Sequence, residues 1–572
     1  MLRTFLRHGL QMKKISLFLF IAILFSACAP ATEAPASPAE TTVPAQPTST
    51  QAPVADALWI SPATPDVLRE AATNSGVPIV NDAESATQKL DVADSGSLWI
   101  YALVAPFPTV TDGISSADLI SAWQNGSSLT GNGQPLLMAE STLKAFTALW
   151  GEPASGAVSI VPEVGTVASD QLLTTAWTQP FSWAIIPFEE IQPKWKVLSV
   201  DGQSPIHKDF DANLYPLKLS FGLTNSNIEL PATNRDASKL ATVVLTGVTA
   251  LVRATAFTME NKGITRPGEL VYNWLHDADV LHISNEVPFD PDCPYPTPGY
   301  KNFILCSDPK YMELLTYVGT DIVELTGDHF ADRGTQAMLD TLQMYRDNNI
   351  PYYGGGANEE EGRKPVLMNV NGNKIAFMGC NGKVSYVFVK ATDTKPGAAD
   401  CDYEFFTQQV KDVAAQGYMV IFTFQHEECY HHGPCYKHEE GFHAVADAGA
   451  TIVSGSQAHY PHLMEFRGST FIHFGLGNLF FDQMTYELPD GSVIDETRRE
   501  FIDRHVFYDG KYLGTELLTA MLEDFSRPRP MNERERAQFL SEYFAYSGWT
   551  ELQPTPIPQP TVTLTPIILP TP

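Results

Sequence analysis

Two histidines follow two short apolar runs in the second half of the chain. Residues 418–424 are followed by His426, and residues 450–454 are followed by Gln457 and His459. Each run is too short for a helix and is rich in β-branched or aromatic residues, which predicts buried strands of a parallel sheet. Because ligands bind outside the carboxyl ends of strands in open α/β sheets, the two imidazoles predict a site. The alternative for each histidine is a solvated loop position.

Carboxylates follow two other predicted strands of the same region. Glu286 comes shortly after residues 280–284, and Asp328 and His329 come after residues 321–325. Carboxylates and imidazoles that leave successive strand ends are typical of metal sites in α/β sandwiches. This mixture of oxygen and nitrogen ligands favours Zn, Mn or Fe over Ca or Mg.

Further histidines and glycines near these positions are weaker candidates. The segment after His426 is not a His-Glu-x-x-His zinc motif, because Tyr430 stands four residues later. We therefore expect its other imidazoles to be loop histidines: His431, His432 and His438. The run from Gly475 to Gly477 is predicted to be a close-packed turn under the site, with Asn478 orienting a neighbouring side chain.

Length and charge limit the possible functions. The 572 residues are enough for two or more domains, each with its own core. The formal charge of −29 argues against a nucleic-acid partner, since phosphates require basic patches.

The N-terminus has the features of an export signal. Lys13 and Lys14 precede an apolar run at residues 15–25, which is too short to span a bilayer and is followed by Ser26, Ala27 and Cys28. This ending resembles the lipobox of bacterial lipoproteins, which implies lipidation of Cys28 and a membrane anchor on the extracytoplasmic side of the cell envelope. The alternative is an ordinary secretory signal with a chance cysteine. Both predict export.

The cysteines agree with export. Six remain without Cys28, and an even set in an exported chain indicates disulfides. The sequence does not fix the pairing, and a zinc cluster is a weaker alternative because no Cys-x-x-Cys occurs. The preferred pairs join neighbours along the chain: Cys293 with Cys306, Cys380 with Cys401, and Cys429 with Cys435.

Composition divides the chain into five parts. Residues 1–28 are the predicted signal peptide, 29–55 a Pro/Thr/Ala-rich linker, and 550–572 a disordered Pro/Thr-rich tail, because such segments cannot bury enough apolar surface to fold. Short strands and helices alternate in residues 56–235, which predicts an α/β domain. Its rhythm resembles that of the periplasmic solute-binding fold. Residues 236–549 form a second predicted α/β domain, with a hairpin turning at Asn371 and Gly372.

Ordered sequence blocks in residues 239–549 carry a family resemblance. The blocks are Asn285-Glu286, Gly327-Asp328-His329 with Asp332-Arg333-Gly334, Gly354 to Asn358 with Lys364-Pro365, His426, Gly455 to His459, and Gly475 to Asp482. The region resembles bacterial capsule-synthesis proteins of the CapA, or poly-γ-glutamate, type, which belong with the calcineurin-like metallophosphatases. The resemblance implies a four-layer α/β-β-α sandwich.

The resemblance also implies roles for individual residues. Glu286 matches the carboxylate that bridges two metals, and Asp328 replaces the asparagine of an Asn-His pair. His329 matches the catalytic histidine that protonates the leaving group or steadies the transition state. The implied metal ligands are Glu286, Asp328, His426, Gln457 and His459.

Three departures from the family pattern affect the expected metal site. Val248 stands where the first strand normally ends in Gly-Asp, and Gln457 stands where the last motif has its first histidine. Glu427 and Glu428 replace the Trp-Gly that normally follows the matching histidine. One half of a two-metal site therefore lacks ligands, which predicts one ion rather than two.

The resemblance predicts an exported, lipid-anchored metal-dependent hydrolase or transferase in capsule or poly-γ-glutamate synthesis or processing. Its expected partners are a surface polymer or phosphoester substrate, the membrane, and other capsule-assembly proteins. The alternative is a non-catalytic surface protein that binds polymer or solute through a degenerate site.

Overall fold

The computed structural model describes residues 56–129, 133–161, 168–178, 182–299, 304–384, 387–435 and 438–549. The predicted signal peptide with Cys28, the predicted linker and the predicted tail lie outside these residues. Among the described helices, none is both long and apolar enough to cross a membrane.

A mixed sheet dominates residues 58–224, where the described part contains nine strands. The strands are β1 (Leu58–Ile60), β2 (Gln88–Ala93), β3 (Ser97–Pro106), β4 (Gly113–Ile114), β5 (Leu136–Met138), β6 (Val158–Ile160), β7 (Ala184–Pro187), β8 (Trp195–Val200) and β9 (Lys218–Thr224). The helices are α1 (Asp66–Thr73), α2 (Ser116–Asn125), α3 (Glu140–Trp150) and α4 (Ala168–Thr178). The strand order is β1-β2-β9-β3-β7-β5-β6, and β8 pairs with β3 and β4. The α/β class predicted for this region is confirmed.

The strands of residues 240–530 build the second half of the fold. They are β10 (Leu240–Leu245), β11 (Val248–Thr249), β12 (Val280–Asn285), β13 (Ile322–Glu324), β14 (Tyr352–Tyr353), β15 (Gly355–Gly356), β16 (Val366–Val370), β17 (Asn373–Asn381), β18 (Gly397–Ala398), β19 (Met419–Gln425), β20 (Ile452–Ser454), β21 (Met464–Arg467), β22 (Thr470–His473), β23 (Asn478–Phe480), β24 (Tyr486–Glu487), β25 (Val493–Ile494), β26 (Arg499–Tyr508), β27 (Lys511–Glu523) and β28 (Arg527–Pro530). The helices are α5 (Arg253–Lys262), α6 (Tyr272–His276), α7 (Met312–Tyr317), α8 (Gly334–Asp347), α9 (Glu359–Gly362), α10 (Tyr403–Ala414), α11 (His438–Asp447) and α12 (Glu533–Tyr546).

Two large sheets organise these elements. One has the order β14-β13-β12-β10-β26-β27-β28, in which β14 to β10 are parallel and β26 to β28 are antiparallel. The other has the order β16-β17-β19-β20-β22-β21, with parallel pairing from β17 to β22. The ends of these parallel strands carry the predicted site residues.

Alternating side chains divide the apolar core into three layers. Val243 and Leu245 of β10 pack with Ile421 of β19 in a layer between the two sheets. Val244, the next residue along β10, belongs to a cluster with α5, α7 and α8, which include Met259, Leu314 and Leu342. A third cluster joins the second sheet to α10 and α11 through Phe422, Val410 and Val445. The predicted four-layer α/β-β-α sandwich is confirmed.

The predicted hairpin joins β16 to β17, which pair antiparallel. Asn371 and Gly372 have φ values of 51° and 83°, as a primed turn between β16 and β17 requires.

The hydrophobic core of the first α/β region also includes Leu240, Val506 and Leu513 from the second region. The proposed domain boundary near residue 235 remains a prediction.

The disulfides follow the predicted pairing: Cys293 with Cys306, Cys380 with Cys401, and Cys429 with Cys435. The middle pair joins β17 to the segment before α10 and closes a separation of 21 residues. The loop that follows β17 carries part of the site described below.

We expect Cys380→Ala/Cys401→Ala to lower the free energy of unfolding by about 3 kcal/mol, because the unfolded chain gains loop entropy. The matched control, Cys429→Ala/Cys435→Ala, removes a disulfide between cysteines only six residues apart. Its expected loss is about 2 kcal/mol. Urea unfolding under non-reducing conditions measures both losses. A free energy of unfolding equal to that of wild type in Cys380→Ala/Cys401→Ala would contradict the prediction.

Candidate metal centre

Three predicted site residues meet where β12 and β13 end. Glu286 directly follows β12, and Asp328 and His329 open a short 3₁₀ turn after β13. One ligand atom from each of the three lies within 4.8 Å of the others. Gly327 permits this approach, because a Cβ there would lie only 2.6 Å from Glu286 backbone atoms. This glycine is therefore required for the two loops to touch.

Glu286 has the most unusual environment of the group. Its side chain is completely buried, and neither carboxylate oxygen has a hydrogen-bond partner among the described residues. The closest ionic contact is the 3.4 Å approach of His459 Nε2 to Oε1. A buried carboxylate is costly without compensation, so these two oxygens are suited to a bound cation.

His459 is held in place by Asn478, at the start of β23. Asn478 Nδ2 donates to the carbonyls of His459 and Thr497, so its Oδ1 accepts from His459 Nδ1 at 2.8 Å. This hydrogen bond turns Nε2 towards Glu286, and the prediction that Asn478 orients a neighbour is confirmed. Burial lowers the pKa of His459, but the Glu286 and Glu428 carboxylates and the Asn478 hydrogen bond together outweigh burial and raise the pKa to about 9.

His329 is positioned in a similar way by Asp332. Its Nδ1 lies 2.7 Å from Asp332 Oδ2, which also accepts from the backbone N–H of Leu305. Nε2 is therefore the ring nitrogen available on the side of Glu286 and Asp328. Burial lowers the pKa of His329, but the Asp332 hydrogen bond and the nearby carboxylates raise it to about 9.

Asp328 has both carboxylate oxygens occupied by other side chains. Lys383 Nζ donates to Oδ2 at 2.7 Å, and Gln425 Nε2 donates to Oδ1 at 2.7 Å. Burial raises the pKa of Asp328, but the charges of Lys383 and His329 and the Lys383 hydrogen bond together outweigh burial and hold the pKa below its ordinary value. Lys383 is 2% exposed and also contacts Glu428 Oε1 at 2.8 Å. Asp328 is thus compensated within the protein.

The structure places His426 outside this group. Its ring stacks on His438, with ring centroids 4.3 Å apart, and on Phe424 at 5.0 Å. It lines a small pocket with Phe442 and Phe474. Burial, followed by the charge of His438, lowers the pKa of His426 well below its ordinary value. The ring lies in an aromatic environment and is not part of the group formed by Glu286, Asp328 and His329.

Gln457 and Val248, two of the departures from the family pattern, are both buried. Gln457 is buried, and neither its amide oxygen nor its amide nitrogen has a hydrogen-bond partner. Val248 is fully buried in β11, between β12 and β23, where it offers no ligand atom. A polar side chain is therefore retained at one of the two departures only.

Comparison with known proteins identifies the region that holds this centre. Residues 242–483 match the bacterial capsule synthesis protein PGA_cap family. The PGA_cap region includes Glu286, Asp328, His329, His426, Gln457 and His459. The resemblance predicted from the ordered sequence blocks is confirmed.

Two curated relatives agree with the PGA_cap match. The chain is 24% identical over 207 residues to "Capsule biosynthesis protein CapA" of Bacillus anthracis, covering 35% of this chain and 49% of that protein. It is 26% identical over 198 residues to "PGA biosynthesis protein CapA" of Bacillus subtilis (strain 168), covering 34% and 51%. The chain therefore spans about half the length of the curated relatives it matches.

Among solved structures, the NAD nucleotidase NadN of Haemophilus influenzae is similar to this chain with a TM-score of 0.30. The sequences are 10% identical, and the similarity covers 53% of this chain and 56% of that chain.

Sequence reasoning missed Lys383, although a signal was present. Lys383 follows the end of β17 by two residues, which is the position relative to a strand that identified the other candidates. The intervening Gly382 lies against His426, since a Cβ there would come within 2.4 Å of Nδ1. Lys383 was overlooked because a single lysine after a strand is ordinarily solvated.

Proposed function

We propose that this chain is an exported, lipid-anchored, metal-dependent hydrolase or transferase acting on a surface polymer such as poly-γ-glutamate. The observation that carries the proposal is the buried Glu286 carboxylate, with no hydrogen-bond partner and with His459 and His329 beside it. The CapA relatives support a role in capsule synthesis. The lipobox-like sequence at Cys28 supports an anchored position on the extracytoplasmic side of the envelope.

Glu286 and His459 would hold one divalent ion, with Zn, Mn or Fe suited to the donor set. His329 lies beside Glu286. The sequence predicted that Glu286, Asp328 and His426, with Gln457 as a poorer ligand, hold a single ion. The geometry favours His459 instead, because Asp328 is already paired with Lys383. Bound there, a divalent ion supplies Lewis acidity that polarises an acyl or phosphoryl oxygen of the substrate.

Two histidines of the protein would then be held in fixed orientations, one of them to deliver a proton. His329, held through Nδ1 by Asp332, carries a proton at Nε2 beside the reacting bond and delivers it to the leaving group. Asn478 keeps Nδ1 of His459 protonated and its Nε2 towards Glu286. The fixed orientations mean that neither imidazole has to reorganise during the reaction.

We expect His329→Ala to lower turnover by about 10²- to 10⁴-fold, the usual contribution of a positioned general acid, while metal content stays unchanged. Turnover of poly-γ-glutamate oligomers and of phosphodiesters, measured with added Zn²⁺ or Mn²⁺, tests this. His276→Ala on α6, at an exposed position, is the matched control. Wild-type turnover in His329→Ala would contradict the assigned role.

We expect Asn478→Ala to weaken metal affinity by about 10- to 100-fold, because the partner that orients the His459 ring is lost. Equilibrium dialysis against Mn²⁺ measures the change. Asn227→Ala, at an exposed position on a loop, serves as the control. Equal affinities for Asn478→Ala and wild type would show that His459 is not a ligand.

A non-catalytic protein that binds polymer or solute is the second candidate. Val248 and the pairing of Asp328 with Lys383 favour it, because both reduce the ligands available for a metal. A cavity of about 310 Å³ between the first region and β27 also favours it. Trp195 lines this cavity, and its buried indole N–H has no hydrogen-bond partner. Metal-dependent turnover that His329→Ala abolishes would exclude this candidate, whereas polymer binding without turnover would favour it.

A further inference from the structure

Lys383 is a buried cation at the edge of the candidate metal centre. Its ammonium group is 2.7 Å from Asp328 Oδ2 and 2.8 Å from Glu428 Oε1. Burial lowers the pKa of Lys383, but Glu428 and Asp328 outweigh burial and raise the pKa above its ordinary value. Two carboxylates within hydrogen-bond distance favour the charged ammonium form of Lys383.

The partners of Lys383 come from two other strand ends. Asp328 follows β13, and Glu428 follows β19. Both carboxylates bind the same ammonium group. Two carboxylates thus share one buried ammonium group, and the three side chains form one ion-pair cluster rather than a chance surface contact.

The loops around Lys383 hold this cluster in place. The Cys380–Cys401 disulfide anchors the strand end that carries the lysine. Glu428 is fixed from its other oxygen, because Tyr430 Oη donates to Oε2 at 2.6 Å and accepts from Gln483 Nε2 at 2.9 Å. These contacts hold the ammonium group and its two carboxylates in fixed positions.

A metal ion at Asp328 would compete with the ammonium group bound to Oδ2, while Oδ1 accepts from Gln425. Glu286 has no such ammonium group beside it: neither of its oxygens has a hydrogen-bond partner among the described residues. The two carboxylates therefore have different roles, although they lie within 4.8 Å of each other. One is compensated by the protein, and the other is suited to an added ion.

We propose that the Lys383 ammonium group replaces a second metal ion beside Asp328, so that the centre accepts one divalent ion, at Glu286 and His459. Lys383 is a positioning residue in this role. It supplies charge without a Lewis-acidic coordination position, and it excludes a cation from the Asp328 side. Only the ion at Glu286 rests on the proposed function, because the exclusion at Asp328 depends on the lysine alone.

The test is metal stoichiometry, measured by equilibrium dialysis of the full chain against Mn²⁺ or Zn²⁺ followed by elemental analysis. Wild type and Lys383→Arg are expected to hold one equivalent. Lys383→Met exposes the Asp328 and Glu428 carboxylates to a cation and is expected to hold two. An unchanged stoichiometry in Lys383→Met would overturn the proposal.

Two further comparisons keep the result decisive. If Lys383→Met does not fold, Lys383→Met/Glu428→Gln leaves a single uncompensated carboxylate at Asp328, and it too is expected to hold one ion more than wild type. A wild-type protein that binds no ion, with one equivalent in the lysine variant, would refute the proposed function and still support the replacement. One equivalent in wild type, in Lys383→Met and in Lys383→Met/Glu428→Gln would support the proposed function and refute the replacement.

Discussion

Replacing Glu286 with glutamine is expected to abolish metal binding and, with it, turnover. The amide keeps the shape of the side chain but removes the charge of the two buried oxygens that have no hydrogen-bond partner. In wild type, a free metal concentration of about one hundred times Kd should raise the free energy of unfolding by about 2.7 kcal/mol. In Glu286→Gln the same metal concentration should produce no increase, because the folded state no longer binds the ion.

Urea unfolding with Mn²⁺ and with a chelator measures both values. Glu313→Gln, at an exposed position on α7, is the matched control and should keep the full metal-dependent increase. A metal-dependent increase of equal size in Glu286→Gln would place the ion elsewhere.

Lys383→Met is expected to lower the free energy of unfolding by about 3–5 kcal/mol in metal-free buffer, because it leaves a buried carboxylate without its partner. Asp328 is 1% exposed, so water cannot replace the lost ammonium group. Glu428 is about one-third exposed and contributes less to the loss. Chemical denaturation with a chelator present measures the change without interference from added metal.

The double variant Lys383→Met/Asp328→Asn should recover much of this loss, since it removes the uncompensated charge. Lys262→Met is the surface control, because Lys262 and its partner Asp524 are both largely exposed. Its expected effect is at most about 1 kcal/mol. Equal effects at Lys262 and Lys383 would contradict the buried ion pair.

The sequence was sufficient to predict the strands that deliver the site. Residues 280–284 and 418–424 were predicted as strands, and the structure has β12 at Val280–Asn285 and β19 at Met419–Gln425. These runs are buried on both faces because helices cover one side of each sheet and the opposite sheet covers the other, and most of their residues are apolar. A strand buried in this way is visible in the sequence without knowledge of its neighbours.

The antiparallel strands β26 to β28 were not predicted, for a physical reason. β26 contains Glu500, Asp503 and His505, all completely buried, and such residues interrupt an apolar pattern. Asp503 is compensated by His473 of β22, at 2.6 Å in the opposite sheet, and His505 by Thr515 of β27 at 2.7 Å. Partners this distant along the chain are absent from any local pattern.

The directions of single side chains in the site also could not be predicted from the sequence. Motif order identified His426 and His459 equally well, but only His459 has a partner such as Asn478 that turns it towards Glu286. The direction of His426 is set by Gly382 and by stacking on His438, both contacts between separate loops. Ligand identity follows from residue type, whereas ligand direction requires the tertiary contacts.

The most direct test is the anomalous scattering of crystals of this protein grown with Mn²⁺. We expect one anomalous peak, beside the Glu286 carboxylate and His459 Nε2, with Lys383 still bound to Asp328. Two peaks, one of them at Asp328, or the absence of any peak at Glu286, would contradict this expectation.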